Sequence, residues 1–419
     1  MTQPPAVMPE SAAKVRVGQR AARALTADFA RDGGPRAALL VGAEIDSPVL
    51  SAALDALVPD ATLAVVGAAS PAGAPAALRA QLQTMGTWVA ERVRVLDTVA
   101  EADLVDYVIV ATPMRGAAEE VRAALIDLGK RLHPGGLLTV SAPAALPGMR
   151  DAGAEELERQ AALYGVGSDL VLINRPPLQV HRLRYTPAEV TAVTRLTSVD
   201  RPSSVPLTRS MHIDSNGVAA AALALGLAAL TRAARPKSRL WLLPALAAAP
   251  VATFFRDPQR DIPADDHAVV AASDGKVLAV ERIRDERFGD GDFLRIAVFL
   301  SVLDVHVNRS PVAGKVVDFF VADGGYAAAM KPAAEHNATA YTVLDTPRGT
   351  VVVAQRTGLI ARRIVQRAPV GALLAKGERF GLIRFGSRTD VYLPADATRA
   401  QIAPGDRVLG GTTIIATWR

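Results

Sequence analysis

The chain of 419 residues contains no cysteine. Disulfides, thiolate metal sites and a cysteine nucleophile are therefore excluded. Its histidines, His133, His181, His212, His267, His306 and His336, are scattered, with no two at metal-ligand spacing, so no metal site is expected. The opening stretch MTQPPAVMPESAAKVRVGQR lacks an apolar core and does not read as a secretory signal. Acidic residues are outnumbered by basic ones, for a net charge of +5. That balance suits an acidic partner, either nucleic acid or an anionic membrane surface. What the chain has in quantity is apolar residues, 50% of the total. This is at the upper end for a soluble protein, and much of it is alanine.

The length implies more than one domain. Through residues 1–180, strand-like runs (RAALLVGAEI, TLAVVGAA, VDYVIVATP) alternate with helix-like ones (VLSAALDALV, RGAAEEVRAALIDLGKRL). This alternation predicts a Rossmann-like α/β domain with a doubly wound parallel sheet. Residues 181–216, with Pro202, Pro206 and little periodicity, read as a linker. Residues 217–255 hold two uncharged runs, GVAAAALALGLAALT and LWLLPALAAAPVATFF, separated by Arg232, Arg235, Lys237 and Arg239. Each run falls short of the ~20 residues that span a bilayer. The pair reads as an apolar helical hairpin dipping into one leaflet, with its cations at anionic headgroups. A buried helix pair and a two-span hairpin remain open. Residues 256–419 break into short strand-like runs punctuated by Gly, Pro and Asp, and predict a mainly β, barrel-sandwich-like domain.

Four segments in this second half carry chemistry: FFRDP (Phe254–Pro258), DGK (Asp274–Lys276), FLSVLDVHVNRSP (Phe299–Pro311) and RFGSRTDVYLP (Arg384–Pro394). A Gly-Ser pair alone is usually a turn. In this order and spacing, however, the four segments resemble the short bacterial form of phosphatidylserine decarboxylase, over about residues 215–419. The resemblance implies self-cleavage between Gly386 and Ser387, leaving a β chain (1–386) and an α chain (387–419) whose first residue becomes a covalent pyruvoyl group. That group would form a Schiff base with phosphatidylserine, release carbon dioxide and yield phosphatidylethanolamine. Serine is required because its Oγ is first nucleophile and then leaving group. Glycine, lacking Cβ, can expose its carbonyl to the next side chain.

The resemblance also implies His306 as catalytic base and Asp274 as the residue that orients it. Long forms of the family carry a second histidine where this chain has Arg309. That leaves His306 serving both steps, or another group such as His336 assisting. Arg256, Arg309 and Arg388 are candidates for the lipid phosphate or serine carboxylate, because guanidinium binds oxyanions bidentately, and His336 is a further substrate-site candidate. The partners implied are phosphatidylserine and an anionic membrane surface, not nucleic acid. The expected location is the cell membrane, peripheral or shallowly inserted on its cytoplasmic side. Two other readings stay open: a membrane-bound pseudoenzyme, and a decarboxylase of a different amino-carboxylate.

In the first half, Asp106–Val110 (DYVIV) and His133–Leu138 (HPGGLL) resemble the late part of class I methyltransferases. The first strand instead runs into Gly42-Ala43-Glu44-Ile45-Asp46, without the Gly-rich turn that admits a nucleoside cofactor. The second strand, LAVVG, ends without an acidic residue for ribose hydroxyls. The reading is a Rossmann-like domain that has lost S-adenosylmethionine binding.

Overall fold

Alternating aliphatic strands and amphipathic helices build the first half as expected. The computed structural model describes residues 15–144, 151–198, 204–208, 210–359, 363–384 and 387–419. The chain divides after residue 203 into two units. In the first unit the strands are β1 (Arg36–Ala43), β2 (Ala61–Gly67), β3 (Val93–Leu96), β4 (Val105–Val110), β5 (Leu132–Pro143), β6 (Gly165–Val171) and β7 (Leu178–Leu183). They form one sheet in the order β3-β2-β1-β4-β5-β7-β6. The first five are parallel, and β7 runs antiparallel to both β5 and β6. The central strands β1 and β4 are buried over most of their length, as parallel strands covered on both faces must be. The helices are α1 (Gln19–Arg31), α2 (Pro48–Asp55), α3 (Pro75–Thr84), α4 (Thr87–Arg92), α5 (Ala118–Gly129) and α6 (Ala152–Tyr164). Buried Arg182 on β7 fixes α1 by pairing with Asp28, and it also holds Asp169 at 2.7 Å.

The strand order reverses between β1 and β4, where an open α/β sheet offers its crevice at the carboxyl ends. Here the chain's own loop lies across the β1–α2 turn. The Ala68 N–H donates to the Ala43 carbonyl at 2.8 Å, the Ile45 N–H to Ala72 at 3.0 Å, and the Ser70 hydroxyl to Glu44 at 2.7 Å. Gly67 permits this fold-back, since a Cβ there would stand 1.7 Å from the Gly73 carbonyl oxygen.

The segment expected as a linker is mostly built structure. Residues 181–183 finish β7, and residues 190–195 form a 3-10 turn tied to α1 through Gly33 N–H to Arg195 O (2.9 Å). Ser204–Pro206 and Met211–Asp214 form a hairpin that pairs with Arg256–Pro258. Backbone pairing, which leaves little periodicity in so short a stretch, makes the difference.

The apolar hairpin is present as α7 (Ser215–Ala234) packed on α8 (Leu242–Phe254). Helix α7 is longer than its uncharged run: Asp214 caps it by accepting from the Asn216 N–H at 2.9 Å, and Arg232 lies in its last turn. At 20 residues it is long and apolar enough to cross a bilayer, whereas α8 has 13 residues and contains Pro250. Beyond the hairpin, an eight-stranded antiparallel sheet runs Leu373–Leu374, Gly314–Ala322, Thr339–Asp345, Val351–Arg356, Ser387–Pro394, Asp292–Leu300, Gly275–Arg284, Arg407–Val408. Two small three-stranded sheets complete this half: Ala268–Val270 with Ile414–Trp418 and Thr398–Ala400, and Val307–Arg309 with Arg379–Ile383 and Ile364–Gln366. One face of the large sheet buries Ile296, Val298, Val353, Val391 and Leu393, giving the mainly β core that the sequence predicted.

Candidate active site

Ser387 opens a central strand. Its neighbours across the sheet are Leu300 on one side and, one residue along, Arg356 paired with Arg388 on the other. Being internal to the sheet, Ser387 is fully buried, and its Oγ has no hydrogen-bond partner among the described residues. A buried hydroxyl left unpaired costs about 1–3 kcal/mol. Thr389 lies on the same face of the strand, 3.5 Å from the Asn308 amide, which accepts from Gln355 at 2.6 Å. Ser387 therefore opens onto a buried polar strip.

The histidine loop is stitched to the same segment at both ends. Leu300 pairs with Ser387, and the Ile383 N–H donates to the His306 carbonyl at 3.2 Å. Ser387 and Ile383 are thus each paired with one end of the loop 301–306. Gly386, the expected scissile residue, lies outside the described residues.

His306 is buried against Phe254, the last residue of α8, with ring centroids 4.4 Å apart. Its Nδ1 stands 2.9 Å from the Asp304 carbonyl oxygen. A carbonyl can only accept, so Nδ1 carries the proton and Nε2 the lone pair. Burial lowers the imidazole's pKa to about 4, so it is neutral at physiological pH, with its Nε2 lone pair unprotonated. Asp304 shapes the loop by accepting from the Ser301 N–H at 2.8 Å and the Ser301 hydroxyl at 2.7 Å.

The expected bond from Asp274 to the imidazole is not made. The Asp274 carboxylate takes Arg260 at 2.6 Å and the Gly410 N–H at 2.8 Å. The orienting acceptor is instead the Asp304 carbonyl. Burial raises the Asp274 carboxyl above its ordinary range, and Arg260 works against that shift. The glycine of the DGK segment has a steric reason: at φ +151°, a Cβ on Gly275 would fall 2.1 Å from the Phe299 carbonyl oxygen.

The arginines divide by environment. Arg309 is buried and fully engaged, with Gly377 O at 3.0 Å, Pro258 O at 2.9 Å and Asp257 at 3.3 Å, while Arg379 holds the same Asp257 at 2.8 Å. It ties the FFRDP segment to the histidine strand. Arg388 is likewise buried, bidentate on Asp390 at 2.6 and 2.8 Å and paired with Glu335 at 2.8 Å. Arg356 joins this cluster through Asp390 at 2.9 Å, and Arg295 through Glu335 at 2.9 Å. Burial alone would raise the Glu335 carboxyl, but hydrogen bonds from Arg295 and Arg388 hold it at about 2. Only Arg256 keeps an open position, donating to the Leu303 carbonyl and to Thr253 O at 3.4 Å. His336 is exposed at the end of the 3-10 turn Pro332–His336, next to Glu335 rather than beside His306.

Sequence reasoning passed over Asp304, Asn308 and Asp390, although all three lie inside the motifs it used. The signal for Asp390 was its spacing of two from Arg388, which puts both on one face of a strand. Phe254 opens the FFRDP segment and was also passed over, whereas Glu335 lies outside the four segments and had no signal.

The family model for phosphatidylserine decarboxylase matches residues 248–416. A phosphatidylserine decarboxylase proenzyme of Symbiobacterium thermophilum is 49% identical over 164 residues, covering 39% of this chain and 76% of that protein. Its namesake from Carboxydothermus hydrogenoformans is 42% identical over 166 residues, covering 39% and 78%. Among solved structures, a precorrin-6y C5,15-methyltransferase from Geobacter metallireducens aligns with a TM-score of 0.30 at 17% identity, over 43% of this chain and 98% of that one. A mitomycin 7-O-methyltransferase aligns at 0.29 and 17%, over 40% and 56%. With the buried serine, the histidine loop and the four motifs in one unit, the chain belongs to the phosphatidylserine decarboxylase family.

Proposed function

We propose that this chain is a proenzyme that cuts itself between Gly386 and Ser387 and then decarboxylates phosphatidylserine to phosphatidylethanolamine. The observation that carries the reading is Ser387: a fully buried hydroxyl with no partner among the described residues, on a strand that pairs with the start of the loop carrying the neutral His306 imidazole. In the cleavage, His306 Nε2 takes the hydroxyl proton and Oγ bonds to the Gly386 carbonyl carbon. The peptide C–N bond breaks and leaves an ester. Loss of the Ser387 Cα proton then breaks the Cβ–Oγ bond. This releases Gly386 as a carboxylate and leaves a dehydroalanine that water converts to a ketone, with loss of ammonia.

The pyruvoyl group so formed supplies a carbonyl that takes the substrate amine and accepts the electron pair freed with carbon dioxide. The residues around Ser387 fit it. The orphaned Oγ is not needed by the fold, and the flanking pairs with Leu300 and Arg356 hold the strand end whether or not the preceding bond exists. His306 stays placed to hold or return a proton. Arg256, at the mouth of the loop, is positioned to meet the acidic headgroup. Asp274 acts through Arg260 as a positioning residue. The protein acts at the cell membrane, peripheral or shallowly inserted on the cytoplasmic side, with Arg232, Arg235, Lys237 and Arg239 toward anionic headgroups.

Intact-mass analysis tests the reading. Two chains are expected, the shorter beginning at residue 387 with a ketone in place of the amine, and Ser387→Ala should leave one uncut, inactive chain. A wild-type chain that stays whole with Ser387 intact favours the pseudoenzyme. Normal cleavage without turnover of phosphatidylserine favours another amino-carboxylate substrate.

A further inference from the structure

The turn Ser301–Asp304 carries two aliphatic residues at its tip, Val302 and Leu303, 49% and 83% exposed. Turns favour Gly, Pro, Asn, Asp and Ser, each for a backbone reason. An aliphatic pair at this tip contributes nothing to the core. Nor is the turn loose. The Asp304 N–H donates to Ser301 O at 2.9 Å, the Asp304 carboxylate holds Ser301 twice, Arg407 reaches that carboxylate at 3.3 Å, and Arg256 holds the Leu303 carbonyl. The fold itself presents the two side chains outward.

The tip is coupled to the chemistry on one side and to the helical hairpin on the other. Its next residue, Asp304, fixes the His306 ring through the carbonyl, and Phe254 at the end of α8 packs on that ring. Helices α7 and α8 expose further leucines, among them Leu223, Leu225, Leu227 and Leu243. Leu223 and Leu225 project about 160° apart on one helix. A protein groove receives a single helix face, whereas acyl chains can cover several. Arg256 and Arg407 flank the turn and supply the positive rim that an anionic bilayer attracts.

We propose that Val302 and Leu303 form a second membrane contact, separate from the α7–α8 hairpin. They enter the acyl boundary of an anionic bilayer and, through Asp304 and Arg256, hold His306 at headgroup depth. The proposal rests on the reading that the substrate is a membrane lipid.

The cysteine-free chain makes the test direct. Full-length Leu303→Cys carries a single environment-sensitive fluorophore and is mixed with phosphatidylcholine vesicles containing phosphatidylglycerol. A blue shift, and quenching by bromine-labelled lipid, are expected. The same probe at Asp290→Cys should not respond, since it sits at the other end of the hairpin strand, about 30 Å away at ~3.3 Å per residue. A Leu303 probe that stays in water, whether or not the chain sediments with vesicles, overturns the proposal. In a second measurement, Leu303→Asp should lower the ratio of decarboxylation on vesicles to that on monomeric short-chain phosphatidylserine roughly tenfold, the worth of one buried leucine side chain. An unchanged ratio also overturns it. If wild type decarboxylates neither substrate, the proposed function fails while the fluorescence still reports on the tip.

Discussion

His306 shows how burial sets a proton's behaviour. An exposed imidazole titrates near 6.5, whereas this one is lowered to about 4 by loss of water. Below about pH 6.5 the unfolded chain binds a proton there that the folded chain refuses. Stability is therefore lost as pH falls from that value toward 4. In a Ser387→Ala background, which keeps one chain, urea unfolding at pH 7 and pH 4.5 should show this residue destabilising the fold by about 2–3 kcal/mol at the lower pH. His306→Phe, which keeps the stacking on Phe254, should remove that increment. An equal pH dependence in both proteins would contradict the buried, neutral imidazole. Motif spacing, which survives any fold, singled out His306 and Ser387 in the sequence. For Asp274, Arg309 and Arg388 it named the charge but not the partner, because a charge in a motif does not say whether its partner is substrate or protein. The structure supplies protein partners for all three: Arg260, Asp257 and Asp390.

At the scale of elements, hydrophobic period was the legible part. It placed β1, β2, β4, α2 and α5 within a few residues, and the β-rich half as a whole. It stopped short on α7, whose added turns are polar and are set by the Asp214 cap and the Arg232 end. It could not show the loop 68–73 lying on the β1–α2 turn, because two of the three bonds that hold it are backbone to backbone and leave no side-chain signature. That loop bears on the first unit's chemistry. The β1–α2 turn, which borders the crevice where an open α/β sheet takes a nucleoside cofactor, is bonded to the chain's own loop through its backbone and through the Ser70–Glu44 bond. Calorimetric titration of the full chain with S-adenosylmethionine should give no heat of binding into the millimolar range. Glu44→Gln with Ser70→Ala, which frees the loop's side-chain tie, should not restore it, because the backbone bonds remain. Micromolar binding by wild type would mean the loop moves aside.

At the scale of the whole molecule, the proposed cleavage would leave 33 residues, 387 to 419, covalently free of the rest. They are not a peripheral tail. Ser387–Pro394 lies between Asp292–Leu300 and Val351–Arg356, hydrogen-bonded on both edges. Ile414–Trp418 pairs with Ala268–Val270. Val391, Leu393, Ile415 and Trp418 are part of the same buried core as Ile296 and Val353. Extracting the short chain would open two sheets and expose that core, so the products should stay together as one folded body. The same reasoning predicts autonomy. The second unit has its own apolar clusters and holds all four motifs, and the family match lies within it. A fragment of residues 204–419 should therefore self-cleave as completely as the full chain, with both products eluting together in native gel filtration and separating only in denaturant. A fragment that folds, by circular dichroism, yet stays uncut while the full chain cleaves would show that the first unit contributes to the cleavage itself.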